Sequence, residues 1–331
     1  MLDIQRMNRI RLSGRPLGQR LVAKGVLWPN YSLARTEIVF EGAERIPDER
    51  VIFALNHTDR YNYWPFQYAL YRRHERFTAT WVKGKYYENG FVGRFMELTN
   101  NLPTVSRGYI ITRDFLGTME RRPSNEEYAA LRARVDAEAS GDDHRPDEGL
   151  VPTELLETPR SILGRAFDPR QESYAAAICA VFQAMMGRFV ELHEEAFDKG
   201  LDILVFPQGT RSIRLSKGHI GMAQVALRYH KTIVPVGCSG SDQVYPGSSP
   251  FARGGKITYR FGVPIPYEEM RPFHVPEPFT PFDLRDERKH RDRFQGLTDL
   301  VMSRIDGLLD PPYRFASDGE SGGVTGSNRF I

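Results

Sequence analysis

Apolar residues follow two spacings along this chain. Short crowded runs at 36–41, 51–55, 202–206, 233–236 and 257–261 have the length and β-branched content of buried strands, and a Pro47-Asp48 turn separates the first two. Spacings of three and four predict helices over 63–73, 218–229 and 173–199. In the last, Ile178, Val181, Phe182, Met185, Phe189, Leu192 and Phe197 share one face, and Gly200 stands at the helix-end position. Phe294, Leu297, Leu300, Val301, Ile305 and Leu308 mark a further amphipathic helix. The alternation of the two spacings predicts an α/β fold, a mixed sheet flanked by helices.

Three stretches leave this pattern, and no internal repeat is present. Residues 118–172 are charged and Pro-containing, with one helix expected behind a Ser124/Glu127 capping box. They read as an insertion, open to three roles: a lid over a groove, a solvated excursion, or a partner surface. Residues 316–328 are rich in Ser and Gly and predict a flexible tail over 315–331. Residues 1–35 carry Arg6, Arg9, Arg11, Arg15, Arg20, Lys24 and Arg35 against Asp3 alone, mixed with Ile4, Met7, Ile10, Leu17, Leu21 and Trp28. Gly14, Pro16 and Gly25 interrupt any helix there. Such a segment suits an anionic membrane surface or packing against its own domain, the α/β unit at 36–314.

Composition narrows the class. A chain of 331 residues that is 40% hydrophobic and 26% charged can bury one large core or two modest ones. No run approaches the roughly 18 to 20 apolar residues of a spanning helix, and no leader pattern opens the chain. Cys179 and Cys238 are too few for a disulfide framework or a cysteine-rich metal site. The expectation is a cytoplasmic protein, peripheral at the inner face of a membrane.

The chemistry gathers where two strands end. The run Ile203-Leu204-Val205-Phe206 delivers Pro207-Gln208-Gly209-Thr210-Arg211-Ser212, with Lys217-Gly218 just beyond. Backbone N–H groups, two hydroxyls and two cations suit a phosphate monoester. The strand at 51–55 delivers Asn56-His57-Thr58-Asp59-Arg60-Tyr61-Asn62. A histidine at the carboxyl edge of a sheet is well placed to act as a base, provided a partner fixes its tautomer. Asn62 and Asp59 are the nearby choices, and a plain helix start with His57 merely packed is the structural alternative. The other histidines show no metal-ligand spacing. Neither a G-x-S-x-G elbow nor a nucleotide loop is present, and no nucleic-acid motif follows the basic segment.

Taken in order, four blocks resemble the PlsC-like family of glycerolipid acyltransferases, which includes 1-acylglycerol-3-phosphate acyltransferase. They are Asn56-His57 with Asn62; Leu102-Pro103-Thr104-Val105-Ser106-Arg107-Gly108; Phe206 to Ser212 with Lys217-Gly218; and Ile233-Val234-Pro235-Val236. The likeness extends from the strand near Ile38 to Pro311-Pro312-Tyr313-Arg314. It implies a glycerol-3-phosphate acyltransferase-like fold and a role in phospholipid biosynthesis or remodelling. It further implies transfer of a fatty acyl group from an acyl thioester, on coenzyme A or acyl carrier protein, to the hydroxyl of a lysophospholipid, with no metal or bound cofactor. By the same resemblance His57 is the base, while Arg107, Arg211 and Lys217 hold the acceptor phosphate. Gly209 admits close backbone approach, and Thr210 donates a hydroxyl.

Two positions depart from the family pattern. Asn62 stands where the family has an acid, and Gln208 where it has Glu. An Asn accepts a hydrogen bond from the imidazole through its oxygen but brings no charge to an imidazolium, and its NH2 would select the other tautomer. Asp59 is a second source of a carboxylate. Gln208 retains hydrogen bonding to an acceptor glycerol without charge. A catalytically impaired lipid- or acyl-thioester-binding protein on the same scaffold is therefore the competing expectation, and a thioesterase-like hydrolase a third.

Overall fold

The structure, a computed structural model, describes residues 1–141 and 148–315. Its strands, in chain order, are β1 (Thr36–Glu41), β2 (Ile52–Leu55), β3 (Thr78–Lys83), β4 (Asn101–Thr104), β5 (Arg160–Ile162), β6 (Arg165–Phe167), β7 (Asp202–Val205), β8 (Ile233–Ser239) and β9 (Gly255–Phe261). Seven form one mixed sheet in the order β1-β9-β8-β2-β7-β3-β4, and β5 and β6 make a separate antiparallel hairpin. Every neighbouring pair in the large sheet is parallel except β8 with β9. With helices on both faces, the fold is α/β, as the two spacings predict.

The central strands are buried on both sides and divide the core by alternation. Ile52 and Ala54 of β2 pack into the cluster that contains Ile178, Met185 and Leu192 of the long helix Tyr174–Asp198. Phe53 and Leu55 face the opposite cluster, with Phe66 and Leu70 of the helix Tyr63–His74 and with Tyr259 and Phe261 of β9. Asp202, fully buried at the start of β7, accepts from the Val51 N–H at 3.0 Å and from the Arg76 guanidinium at 2.8 and 2.5 Å. That cluster anchors the non-functional end of β2 and β7 together.

Several elements differ from the sequence expectation. Strands β3 and β4 were not expected. β3 alternates Thr with Ala, Trp and Val, and β4 contains Pro103, which only an edge strand tolerates. The first 35 residues are helical despite Gly14, Pro16 and Gly25. Helices span Ile4–Arg9, Leu17–Val22 and Trp28–Leu33, with a π-helical turn at Ala23–Leu27; Pro16 serves as an N-cap. Leu2, Met7, Ile10 and Leu12 are buried in the main core, whereas Leu17, Leu21, Trp28 and Leu33 are exposed. Part of the segment thus packs against its own domain, and part is solvent-exposed.

In the insertion, the capping box forms as expected at the helix Asn125–Ser140. Its described residues pack on the helices Arg107–Met119 and Tyr174–Asp198, with Arg160 paired to Asp114 at 2.9 and 2.6 Å. The flexible tail expected from 315 onward lies outside the described residues except for Phe315. The expectation that no segment reaches a spanning length needs correction. Among the described residues Tyr174–Asp198, at 25 residues, passes by length and composition alone, and half of its apolar window is buried in the fold.

Candidate functional site

β2 and β7 lie side by side and parallel, with Ala54 opposite Val205, so both motif turns leave the same edge of the sheet. Hydrogen bonds then knit them together. The His57 N–H donates to Gln208 Oε1 at 2.9 Å, and the Ser212 N–H donates to the His57 carbonyl at 2.8 Å. Asn56 is held from the other neighbour, β8, by a pair of bonds to the Cys238 backbone at 2.9 and 2.7 Å. The histidine turn is therefore clamped on both sides.

The imidazole stacks on Phe206, with ring centroids 4.2 Å apart. Its Nδ1 lies 3.0 Å from Asn62 Oδ1. Buried Asn62 donates its Nδ2 to the Asn56 carbonyl at 2.8 Å, and a carbonyl can only accept, so the amide oxygen must face the histidine. His57 thus carries its proton on Nδ1 and its lone pair on Nε2, the arrangement a base requires. Asp59 is turned to other work. It accepts from the Tyr61 N–H at 2.8 Å and the Thr58 hydroxyl at 2.9 Å.

Desolvation pushes His57 from 6.5 down to about 3; the Asn62 hydrogen bond opposes this, and the nearby charges of Arg211 and Lys83 reinforce it. The ring is neutral across the physiological range. Burial likewise raises Asp59, against the bonds from Tyr61 and Thr58.

These groups border a cleft of about 1020 Å³. Of the residues singled out from the sequence, His57, Asp59, Gly209, Thr210 and Arg211 line it. Gly209 adopts φ +63°, and a Cβ there would stand 2.7 Å from the His219 ring, so the turn tolerates only glycine. Asn62 acts from behind His57. Gln208 is buried beneath the loop, its Nε2 near the Arg214 carbonyl at 3.4 Å and Ser216 Oγ at 3.3 Å, an arrangement that uses both ends of an amide.

Arg107 and Lys217 are not brought to the cleft. Ser106 caps the helix Arg107–Met119, and at its first position Arg107 pairs with Asp136 at 3.1 Å and lies over Phe182. Lys217 is exposed, beyond a loop drawn away by the Leu215 N–H to Tyr313 carbonyl bond at 2.9 Å. None of the described residues of 118–172 lines the cleft.

Among the described residues, the cations that do line it are Arg60, Lys83, Lys85 and Arg211. Arg60 Nε is buried with no hydrogen-bond partner among the described residues. Burial lowers Lys85, helped by the charge of Arg211 and opposed by Glu88. The far wall is aromatic and apolar, with Tyr63 and Trp64 from one helix and Phe91, Val92, Phe95 and Met96 from the helix Gly90–Leu98. Sequence reading missed this wall and three of the four cations. A signal existed in Trp81-Val82-Lys83-Gly84-Lys85-Tyr86, a third apolar run that ends in cations.

No family model and no curated protein matches the sequence. Among solved structures, the chain is similar to the crystal structure of the 1-acyl-sn-glycerophosphate acyltransferase PlsC from Thermotoga maritima. The identity is 14% and the TM-score 0.39, covering 90% of this chain and 86% of that one.

Proposed function

We propose that this protein transfers a fatty acyl group from an acyl thioester to the hydroxyl of an anionic acceptor, with a lysophospholipid such as 1-acylglycerol-3-phosphate as the acceptor class. The observation that carries the reading is the placing of a neutral, tautomer-fixed histidine between four cleft cations and an aromatic wall. His57 Nε2 takes the proton of the acceptor hydroxyl as the oxygen attacks the thioester carbonyl. The tetrahedral adduct collapses with cleavage of the carbon–sulfur bond, and the imidazolium returns the proton to the departing thiolate. No acyl-enzyme is needed.

Electrostatics would couple binding to this step. Burial chiefly, and the charges of Arg211 and Lys83 in addition, hold His57 near 3, a weak base for proton removal. An acceptor phosphate between these cations offsets their charge and so removes the coulombic part of that depression, while the part due to burial stays. Arg60, with an unmatched buried donor, is the third phosphate ligand. The donor is a thioester of coenzyme A or of acyl carrier protein, and no metal or bound cofactor takes part.

The site would work at an anionic membrane surface. Exposed Leu17 and Leu21 lie on a helix packed against Gly90–Leu98, which itself exposes Phe91 and Leu98, and Arg15, Arg20 and Lys24 accompany them.

Release of free thiol from long-chain acyl-coenzyme A tests the proposal, with and without 1-acylglycerol-3-phosphate. Acceptor-dependent release that disappears in His57→Ala supports it; no release with any donor, acyl carrier protein included, and any lysolipid overturns it. A second reading, a lipid-binding protein without turnover, is favoured by the amide at Asn62, which supplies no charge to an imidazolium. Under that reading Asn62→Asp gains transfer that the native chain lacks.

A further inference from the structure

The aromatic end of the cleft has something behind it. A second, small cavity of about 20 Å³ shares Tyr63, Trp64 and Phe95 with the main cleft, so these side chains stand between the two. The far side of the partition is different in kind. Gln19, Gln67, Thr99 and Asn101 line it, and the N-terminal residues Val22, Ala23 and Leu27 seal it. The void is large enough for one water. Asn101 spends its Nδ2 on Thr99 Oγ1 at 2.7 Å and on the Met96 carbonyl, while its Oδ1 is buried with no partner among the described residues. Gln19 donates to the Thr78 and Thr99 carbonyls at 2.7 and 2.8 Å, which holds the seal in place.

We propose that Trp64 and Phe95 set the longest acyl chain the cleft accepts, by closing its apolar end against a polar, water-sized void. This rests on the reading of the cleft as an acyl site. Two barriers coincide at the partition. The first is steric, since these rings line both cavities and stand between them. The second is chemical, because a methylene pushed past them displaces water from an amide oxygen without replacing its hydrogen bond. A chain end therefore stops at the rings. Phe91, Val92, Phe95 and Met96 follow the helix Gly90–Leu98 inward, so Val92 narrows the same channel one turn before the partition.

The experiment measures kcat/KM for saturated acyl-coenzyme A donors of 8 to 18 carbons in the native chain, Phe95→Ala, Trp64→Ala and Val92→Phe. In parallel it measures displacement of cis-parinaric acid by saturated fatty acids of the same lengths. Each newly housed methylene is worth about fourfold. Phe95→Ala or Trp64→Ala is expected to raise the preference for chains two carbons beyond the native optimum about tenfold. Val92→Phe is expected to shift the optimum shorter. Two truncations and one enlargement guard against a single misfolded variant.

Thiol release absent throughout, with fatty acids still displacing the probe and the length limit still moving between variants, defeats the transfer reading and leaves this inference standing. Turnover or displacement with the same length optimum in all four proteins overturns the inference, as does a cleft that takes up no acyl chain at all.

Discussion

Two histidines in this protein, His193 fully buried and His57 half-buried at the cleft wall, have almost the same immediate chemistry and opposite uses. His193, in the middle of the helix Tyr174–Asp198, donates its Nδ1 proton to the Phe189 carbonyl at 2.7 Å, and its Nε2 accepts from the Trp81 indole at 2.8 Å. His57 donates its Nδ1 proton to Asn62, but its Nε2 belongs to a ring that lines the cleft. Burial is the main cause that lowers both, His193 to about 4 and His57 to about 3. A depressed value therefore does not identify a working histidine in this fold. What separates them is whether the second ring nitrogen is already occupied by the protein.

The contrast can be broken most directly by truncating each ring. His57→Ala is expected to lower acceptor-dependent transfer by about 10²- to 10⁴-fold, the usual worth of a positioned base, with a smaller change in unfolding midpoint than the other histidine gives. His193→Ala should do the reverse. It leaves the Trp81 N–H unpaired and a void among Phe189, Trp81 and Phe282, at a cost of about 2–4 kcal/mol in urea unfolding. Equal losses of stability in the two variants would erase the distinction.

Acid sharpens the comparison in a different way. Unfolded histidines take up protons below about 6.5, while the folded chain refuses them down to about 4 at His193 and about 3 at His57. The stability these rings contribute is therefore whole above pH 6.5 and drains away as pH falls toward those values. Urea midpoints recorded between pH 7 and 4.5 should fall, with a shallower slope in either histidine variant. For the rate, kcat/KM should show no acid limb near 6.5. Asn62→Asp should bring one upward, since a carboxylate at the Nδ1 side favours the imidazolium. The same substitution removes the donor to the Asn56 carbonyl and should cost about 1–2 kcal/mol of stability.

The smallest difference is expected among the cations. Arg211→Gln should raise KM for a phosphate-bearing acceptor about tenfold, whereas Lys217→Ala should leave it within twofold, because Lys217 is exposed and outside the cleft. An equal effect of both would return Lys217 to the site.

These tests also mark how far the sequence could be read. Strands β2, β7, β8 and β9 and the long helix were legible because each buries a distinct apolar pattern, and two of their exits carry His57 and Arg211. The partner of His57 could be named but not its orientation. That depends on a carbonyl, Asn56, which is met only when the turn closes. Arg107 was misplaced because a short block does not say that Ser106 starts a helix there and turns the next side chain toward Asp136. The aromatic wall was invisible for a related reason. Four of its residues, Phe91, Val92, Phe95 and Met96, come from the helix Gly90–Leu98, which packs against β4, a strand whose Asn, Pro and Thr content conceals it.

The bond between His57 and Gln208 spans 151 positions of chain. At about 5–20 residues per second, synthesis needs roughly eight to thirty seconds to pass from one to the other. For that interval β2, which is apolar at all four positions, has emerged without β7 or β8, the strands that flank it on either side. The nascent polypeptide thus carries an unpaired sticky edge through half of its own translation. Its yield in a cell should depend on a holdase that shields this edge until Val205 leaves the ribosome.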